Sequence, residues 1–355
     1  MQVLLLALVL FAVGTALKVP MRVRLGMLAL LWLAVVIGHL LLPATHPLRV
    51  ANGGDARPWL VLAMAVLAVW AYRAGLRRLR SRAATAAAAA ATTAAGHGPA
   101  KAPPFSEAEL GRYARHMMLR EIGGPGQRRL KDAKVLVIGA GGLGSPLLLY
   151  LAAAGVGTIG VIDDDLVEGS NLQRQVIHTD ARIGTPKVFS AQMQMEALNP
   201  FITVRPYHRR LTEADAGALF AGYDLVLDGT DNFDTRYLAN RVAARQGTPL
   251  IAAAITQWEG QIALYDPVRG GPCYECVFPE RPAPGLVPSC AEAGVVAALP
   301  GVMGSMMALE AIKLLTGAGE GLRGAMLIYD GLYAESRRIT TRSRTGCPVC
   351  GGMHG

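Results

Sequence analysis

Hydrophobic and polar positions divide the chain into two parts with different periodicities. Before residue 76, apolar residues form three nearly continuous runs, at Met1–Leu17, Leu25–Pro43 and Trp59–Tyr72. From Phe105 onward, short apolar runs alternate with amphipathic stretches. The first pattern is typical of membrane helices, and the second is typical of strands that alternate with helices around a parallel sheet.

The apolar runs predict two or three transmembrane helices. Leu25–Pro43 has no charge over 19 residues, which at about 1.5 Å per residue crosses a hydrocarbon core of roughly 30 Å. Met1–Leu17 does not resemble a signal peptide, because no positive residue precedes it and no cleavage site is clear. Arginines follow the first and third runs, the latter at Arg77–Arg82. The positive-inside rule then places both clusters in the cytoplasm.

Charge separates the same two parts of the chain. Residues 1–104 hold 11 basic side chains and one acidic side chain, whereas residues 105–355 hold 24 and 25. The main domain is therefore not basic enough to suggest a nucleic-acid partner, and the basic front suggests a membrane. We expect a multi-pass protein of the inner, cytoplasmic membrane with residues 1–82 spanning it, an Ala-rich linker at 83–104 and a cytoplasmic domain at 105–355. The alternative is a misplaced gene start, with translation beginning near Met117 or Met118.

Local signals in the main domain predict an α/β fold. Ser106 and Glu109 form a capping box for a first helix, and Thr185-Pro186 predicts the N-cap and first residue of another helix, ending near Leu198. A further helix is expected from about Gly142. This alternation predicts a Rossmann-like, doubly wound, mostly parallel sheet. The predicted strands are Lys134–Gly139, Thr158–Asp163, 202–205, 224–228 and 249–254.

The first predicted strand ends in a G-x-G-x-x-G motif, Gly139-Ala140-Gly141-Gly142-Leu143-Gly144. Glycines at a strand–helix junction let the backbone approach phosphates, toward which the helix N-terminus points its N–H groups. Asp163 follows Gly144 by 19 residues, where a carboxylate can hold ribose hydroxyls. These features predict an adenine nucleotide but do not separate NAD from ATP.

Charged and amide side chains follow the later strands. Asn171 and Arg174 come after the second strand, Lys187 comes near the next helix start, and Asp231-Asn232 follow the strand Leu-Val-Leu-Asp. Hydride transfer does not need Arg, Lys and Asp on the phosphates, whereas phosphoryl or nucleotidyl transfer does. An NAD-dependent oxidoreductase and a non-catalytic membrane scaffold on the same fold remain the alternatives.

Four of the five cysteines form two C-x-x-C pairs, Cys273/Cys276 and Cys347/Cys350, with 70 residues between the pairs. In a cytoplasmic domain, this spacing predicts a closed, structural Cys₄ zinc site that fastens the C-terminus to the domain. Cys290 is left over.

Many of these motifs occur together in one known family. The segments RYARHMMLREIG, VLVIGAGGLGSP, LAAAGVG, DDDLVEGSNLQRQ, IGTPK, DGTDN, EGQIALY, CYEC, CAEAGV and CPVC resemble the ubiquitin-activating superfamily. They most resemble its ThiF/MoeB/HesA branch, the adenylyltransferases of sulfur-carrier proteins. The resemblance covers residues 105–355, and its motifs occur in the family's order.

The resemblance implies a reaction and a set of roles. ATP would adenylate the C-terminal glycine of a small ubiquitin-like sulfur-carrier protein with a Gly-Gly tail and release pyrophosphate, in sulfur transfer of the molybdopterin or thiamine type. Lys187 would stabilise the transition state, Asp231 would hold Mg²⁺, and Arg115 would act across a homodimer interface. Cys290 resembles a cysteine that some members use covalently, although others carry it without needing it. The implied ATP contacts are Gly139, Gly141, Gly142, Gly144, Asp163, Ser170, Asn171, Leu172, Gln173, Arg174, Lys187, Asp231 and Asn232.

Overall fold

The computed structural model describes residues 2–75, 104–282 and 293–353, except for residues 18, 54, 56, 62, 63, 66 and 70. These residues fall into two compact units, one within residues 1–102 and one within 103–355.

The N-terminal unit consists of apolar helices. Helices α1 (Gln2–Ala16), α2 (Met21–Leu41) and the short α3 (Pro47–Ala51) come first, and the described residues between 57 and 75 are mostly helical. Helix α2 begins four residues before the charge-free run and so includes two arginines. One of them, Arg24, turns back to α1, where its Nη1 donates to Thr15 Oγ1 over 2.7 Å.

Two described helices are long and apolar enough to cross a membrane. One is α2, with a mean hydropathy of 2.0 and only 17% of the apolar window buried. The other, Ala298–Thr316, belongs to the C-terminal unit, where Leu299, Met303 and Met307 are buried in the core. Core packing accounts for the apolar character of this second helix.

The C-terminal unit is built on one eight-stranded sheet with the order β3-β2-β1-β4-β5-β6-β7-β8. The first five strands in this order are parallel, and β5 to β8 are antiparallel. The Rossmann-like α/β fold is therefore confirmed, but the antiparallel extension was not predicted. The strands are β1 (Lys134–Ile138), β2 (Thr158–Ile162), β3 (Thr203–Tyr207), β4 (Leu225–Asp228), β5 (Leu250–Ile255), β6 (Glu259–Tyr265), β7 (Ala325–Asp330) and β8 (Glu335–Thr340).

Helices cover both faces of the parallel half, and each face has its own apolar core. Leu147, Met195 and Met307 are fully buried in one core, and Phe220 is fully buried in the other. The helices are α4 (Glu107–Met117), α5 (Gly123–Asp132), α6 (Gly144–Ala154), α7 (Lys187–Leu198), α8 (Glu213–Phe220), α9 (Phe233–Gln246), α10 (Tyr274–Val277) and α11 (Ala298–Thr316).

Helix ends follow the sequence signals closely, with one shift. The Ser106–Glu109 capping box of α4 forms as expected. At α7, however, Pro186 is the N-cap and Lys187 the first helical residue, one position later than predicted. Pro186 has an extended ψ of 133°, so its fixed φ suits the turn before the helix as well as the helix itself.

Strand order locates the crevice of the sheet. The chain runs from β1 outward to β2 and β3, and then returns to β4 on the other side of β1. In open α/β sheets, ligands bind at the carboxyl ends of the strands where the order reverses. That point lies between the carboxyl ends of β1 and β4.

Candidate nucleotide site and cysteine cluster

The loop after β1 requires glycine at two positions. Gly139 has a φ of +94°, a conformation that is strained for residues with a Cβ. A Cβ on Gly144 would lie 2.0 Å from the Gly139 carbonyl oxygen. The close turn lets α6 begin directly behind β1, so that the first N–H groups of α6 face the crevice.

Asp163 lies just beyond β2 and holds this loop. Its Oδ2 accepts a hydrogen bond from the Ala140 N–H and its Oδ1 accepts one from the Asp165 N–H, both over 2.8 Å. Burial raises the pKa of Asp163, while the Ala140 N–H and the charge of Lys187 lower it in part. The carboxylate therefore belongs to the loop itself and lies close to the Lys187 ammonium.

Lys187 is a buried cation with an exposed partner. The residue is 5% exposed, and its Nζ lies 2.7 Å from Asp165 Oδ2, whose side chain is 64% exposed. A buried ammonium needs a counter-charge, and here a solvent-facing carboxylate supplies it. An anion that enters the crevice can compete for the same ammonium.

Arg174 lies against the glycine loop. A Cβ on Gly142 would be 3.6 Å from Arg174 Cγ, and Arg174 Nη2 donates to Asn171 Oδ1 over 2.7 Å. Asn171 Nδ2 in turn donates to Glu168 over 3.3 Å. In the same segment, Ser170 and Gln173 are exposed and Leu172 is half-buried.

The loop after β4 is braced by a buried pair. Asp228 Oδ1 accepts hydrogen bonds from the Thr230 N–H and hydroxyl over 2.9 and 2.6 Å. Arg236 donates to the carbonyl oxygens of Thr230 and Ala253, and its Nε lies 4.0 Å from Asp228 Oδ2. The pair fixes the backbone that precedes Asp231, which is exposed.

Asn232 is the N-cap of α9. Its side chain accepts the Thr235 N–H over 2.8 Å, an interaction typical of helix starts. The cap uses the Oδ1 atom of Asn232, and the predicted nucleotide contact of this residue stays a prediction.

Three segments meet at the glycine loop. Ala140 bonds to Asp163, Gly142 adjoins Arg174, and a Cβ on Gly139 would lie 3.4 Å from Thr230. Lys187 is linked to the same place through the Asp165 carboxylate. The structure thus gathers the predicted glycines, acids and cations at one edge of the sheet.

Arg115 does not join this group within one chain. It is exposed near the end of α4, and the next residue, His116, bonds through Gln127 to the Ala154 carbonyl. Ala154 ends α6, whose other end carries Gly144, and 11 helical residues span about 16 Å. Arg115 is therefore on the opposite edge of the sheet from the glycine loop of its own chain.

The four paired cysteines form one buried cluster. Their sulfur atoms all lie within 4.8 Å of one another, with distances of 3.8 Å (Cys273–Cys276), 3.6 Å (Cys273–Cys347) and 3.3 Å (Cys276–Cys350). Tetrahedral Zn–S bonds of about 2.3 Å place sulfur atoms about 3.8 Å apart. The cluster thus has close to the dimensions of a Cys₄ metal site.

The thiols differ in how readily they ionise. Burial raises the pKa of Cys273 and raises that of Cys350 to about 12. Burial also acts on Cys347, but backbone N–H groups of Cys350 and Val349 lower its pKa to about 7. The Arg344 N–H donates to Cys276 Sγ over 3.3 Å. N–H donors to sulfur stabilise thiolates, which are the form that binds metal.

Among the described residues, one other cluster of potential metal ligands occurs. Asp163, Asp164 and Asp165 have carboxylate oxygens within 4.8 Å of one another. Asp231, to which the resemblance assigns Mg²⁺, belongs to neither cluster. Cys290 lies outside the described residues.

Sequence reasoning missed three buried polar residues behind the site. His178 and Gln175 are 6% and 4% exposed and follow Arg174 closely, and Arg236 is 5% exposed. Each looks like an ordinary surface residue in the sequence. Gln175 lies within a motif assigned to the nucleotide, whereas His178 and Arg236 lie three and four residues beyond such motifs.

Comparisons with known proteins identify the family of this chain. The ThiF family signature matches residues 113–349. A sulfur carrier protein adenylyltransferase of Thermus thermophilus is 51% identical over 251 residues, which cover 70% of this chain and 93% of that protein. The SAMP-activating enzyme E1 of Haloferax volcanii is 48% identical over 243 residues, 68% of this chain and 89% of that protein.

Solved structures support the fold. The crystal structure of E. coli MccB with ATP superposes with a TM-score of 0.59 at 24% identity, over 68% of this chain and 75% of that one. At this identity the likeness concerns the fold alone. The family signature covers most of the C-terminal unit, and the two relatives are close to half identical over nearly their whole length, so this chain belongs to the ThiF family.

Proposed function

We propose that residues 105–355 catalyse the ATP-dependent adenylation of the C-terminal glycine of a small sulfur-carrier protein, with release of pyrophosphate. The buried Lys187 ammonium beside the glycine loop is the observation that carries this proposal. In nucleotidyl transfer, such a cation stabilises the negative charge that develops on the phosphate oxygens. The 51% identity to a named sulfur carrier protein adenylyltransferase supports the same substrate class.

The chemistry requires positioning and charge neutralisation rather than a protein base. A carboxylate is already ionised at neutral pH, so the carrier's terminal carboxylate attacks the α-phosphorus directly. The bond from the α-phosphorus to the β-phosphate oxygen breaks, and pyrophosphate leaves with the electron pair. The enzyme contributes by holding both reactants close and by stabilising the developing negative charge.

Each site residue has a role in this scheme. The glycine loop cradles the phosphates, Asp163 receives the ribose hydroxyls, and Arg174 contacts phosphate oxygens. Lys187 leaves Asp165 to stabilise the transition state. Since Asp165 is largely exposed, water can solvate its carboxylate after the exchange, which keeps the cost of breaking the ion pair low.

Two metals complete the proposal. Mg²⁺ in nucleotide sites is typically held by one or two carboxylates together with phosphate oxygens, and the exposed carboxylate of Asp231 fits this use. When bound, Mg²⁺ would neutralise charge on the phosphates. Zn²⁺ fits the four-cysteine cluster in ligand type, number and spacing, and would have a structural role because no ligand position is left open.

The opposite-edge position of Arg115 supports a homodimer. An arginine about a helix length from its own glycine loop can reach a nucleotide only in a second subunit. We therefore propose that Arg115 of one protomer acts in the site of its partner.

We also propose that residues 1–82 anchor the enzyme in the cytoplasmic membrane, that 83–104 are a linker and that the catalytic unit faces the cytoplasm. The support is the apolar surface of the first unit, in which Leu30, Leu40 and Leu41 are each about 70% exposed or more. Apolar side chains on all sides of a helix are typical of lipid contact. Retention of the full chain in carbonate-washed membranes, with release of a chain lacking residues 1–82, would test the anchor.

The experiment that tests the activity is ATP–pyrophosphate exchange by the full-length protein in detergent. Each small protein with a Gly-Gly tail from the source genome would be added in turn. We expect exchange with at least one carrier and its loss when the terminal glycine is removed. Carrier-independent oxidation or reduction of NAD, with no exchange, would instead favour an oxidoreductase.

A further inference from the structure

A buried histidine connects the glycine loop to the helix that carries Lys187. His178 is 6% exposed. Its Nε2 lies 2.9 Å from the Ala140 carbonyl oxygen, and its Nδ1 lies 2.9 Å from Ser190 Oγ. Ser190 is in the first turn of α7, three residues after Lys187.

The partners determine the tautomer of His178. A carbonyl oxygen can only accept a hydrogen bond, so Nε2 carries the hydrogen and donates it to Ala140. In a neutral ring, Nδ1 then accepts the Ser190 hydroxyl. Burial lowers the pKa of His178, the bond to Ala140 raises it, and the charges of Lys187 and Arg182 lower it again. The net lowering keeps the ring neutral at pH 7.

The bond to Ala140 also orients the next peptide. Every described peptide is trans, and in a planar trans peptide the carbonyl and the following N–H point in opposite directions. With the Ala140 carbonyl turned toward His178, the Gly141 N–H faces away from the ring. Within residues 104–282 and 293–353, the Gly141 N–H has no protein acceptor, so it is available to an anion.

The Ala140 residue is thus held from both sides. Asp163 accepts its N–H and His178 donates to its carbonyl. We propose that His178 is a positioning residue of the nucleotide site, which directs the Gly141 N–H at the phosphates through its bond to the Ala140 carbonyl. This inference rests on the proposed ATP-dependent function.

Two substitutions separate the two ends of the ring. The amide nitrogen of glutamine reaches the position of Nε2, whereas that of asparagine reaches only the position of Nδ1. His178→Gln can therefore still donate to the Ala140 carbonyl, and His178→Asn cannot. Ser190→Ala removes the other hydrogen bond and leaves the Ala140 carbonyl paired, which makes it the matched control.

The test measures ATP–pyrophosphate exchange and thermal unfolding of the full-length variants. We expect His178→Asn to raise the KM for ATP about tenfold, as the loss of one buried hydrogen bond does, without changing the KM for the carrier. His178→Gln should remain within about threefold of wild type. Ser190→Ala should lower the Tm without a comparable change in the KM for ATP.

Equal KM values for ATP in the Gln and Asn variants would overturn the proposal. It would also be overturned if the KM for ATP rose equally in Ser190→Ala, because the effect would then follow stability alone. If the wild type shows no exchange, the proposed function fails separately. Calorimetric titration of the same variants with Mg–ATP then makes the same comparison through Kd, with equal Kd values contradicting the role of His178.

Discussion

The edge of the sheet proposed to bind the nucleotide (the nucleotide edge: the glycine loop, Asp163, Arg174, Lys187 and Asp231) differs from the four-cysteine cluster in how its polar side chains are paired. At the nucleotide edge, Lys187 is paired with the exposed carboxylate of Asp165, which water can solvate when the pair separates. Arg174 lies against the glycine loop. In the cluster, four sulfur atoms face one another and form a complete ligand set. Side chains with replaceable partners suit a ligand that binds and leaves during turnover, whereas a complete set of ligands suits a structural metal ion that stays bound.

The two sites also depend on different parts of the sheet. The nucleotide edge is assembled from loops that follow parallel strands, so each residue is positioned by the strand before it. The cluster joins the start of α10 to the C-terminal residues beyond the edge strand β8. Substitutions at the nucleotide edge should therefore change catalysis, and substitutions in the cysteine cluster should change the stability of the fold.

The largest effect is expected in the cysteine cluster. Cys350→Ser should lower the free energy of unfolding by about 4 kcal/mol or more, because the loss of a metal site is among the most destabilising changes. Thermal unfolding and zinc content per chain would measure it, with Cys290→Ser as the control that should keep one zinc per chain. Unchanged stability in Cys350→Ser would contradict a structural zinc site.

At the nucleotide edge, loss of charge should affect the rate rather than the fold. Lys187→Ala and Asp231→Ala should each reduce pyrophosphate exchange about 10²-fold or more, as the loss of preorganised electrostatic stabilisation does. Thermal unfolding of both variants should stay near that of wild type. Near-normal exchange in either variant would remove that residue from the proposed site.

Substitution of Arg115 tests whether the active site needs a residue from a second chain. Mixed dimers of Arg115→Ala and Lys187→Ala chains should recover part of the exchange activity, because one site of each mixed dimer then has both residues. Pairing Lys187→Ala with Asp231→Ala is the control that should not recover. The absence of recovery with Arg115→Ala, once subunit exchange is verified, would place that arginine outside the partner's site.

A smaller effect concerns Asp163 and pH. Because burial raises its pKa above the ordinary value, ionisation of Asp163 costs stability in the folded state. The stability of wild type relative to Asp163→Asn should therefore be greatest below about pH 4 and decline as pH rises through the raised pKa. The decline should be about 1.4 kcal/mol for each pH unit that separates the folded-state pKa from the unfolded-state pKa. Urea unfolding between pH 3 and 7 would measure it. A difference that grows with rising pH would contradict it, and Asp164→Asn is the neighbouring control.

Much of the parallel half could be predicted from the sequence, because its signals are local. The apolar runs and glycines placed β1, β2 and the loop between β1 and α6 within one or two residues. The antiparallel strands β6 to β8 were not predicted. The sequence of β8, Glu-Ser-Arg-Arg-Ile-Thr, has little apolar character, and every residue of that strand is exposed. Pairing with β7 rather than burial of its own side chains holds that strand in place.

Only those site residues whose side-chain type suggests a ligand could be predicted from the sequence. Lys187, Arg174 and Asp163 have charges that suit phosphates and ribose, and the structure does bring them together. The buried supports, His178 and the Asp228–Arg236 pair, could not be found, because their function depends on contacts with backbone carbonyls and N–H groups. The N-cap role of Asn232 in α9 likewise depends on a backbone N–H, and its residue type alone did not indicate this role.

In the proposed function, the nucleotide edge transfers an adenylyl group to a carrier carboxylate. The most direct measurement is the intact mass of the carrier after incubation with Mg–ATP and wild-type protein, compared with the Lys187→Ala variant. We predict that wild type adds one AMP to the carrier's C-terminal glycine and releases pyrophosphate, and that Lys187→Ala adds little. Transfer of a phosphoryl group with release of ADP, or an equal yield of adenylated carrier from both proteins, would contradict adenylyl transfer at this edge.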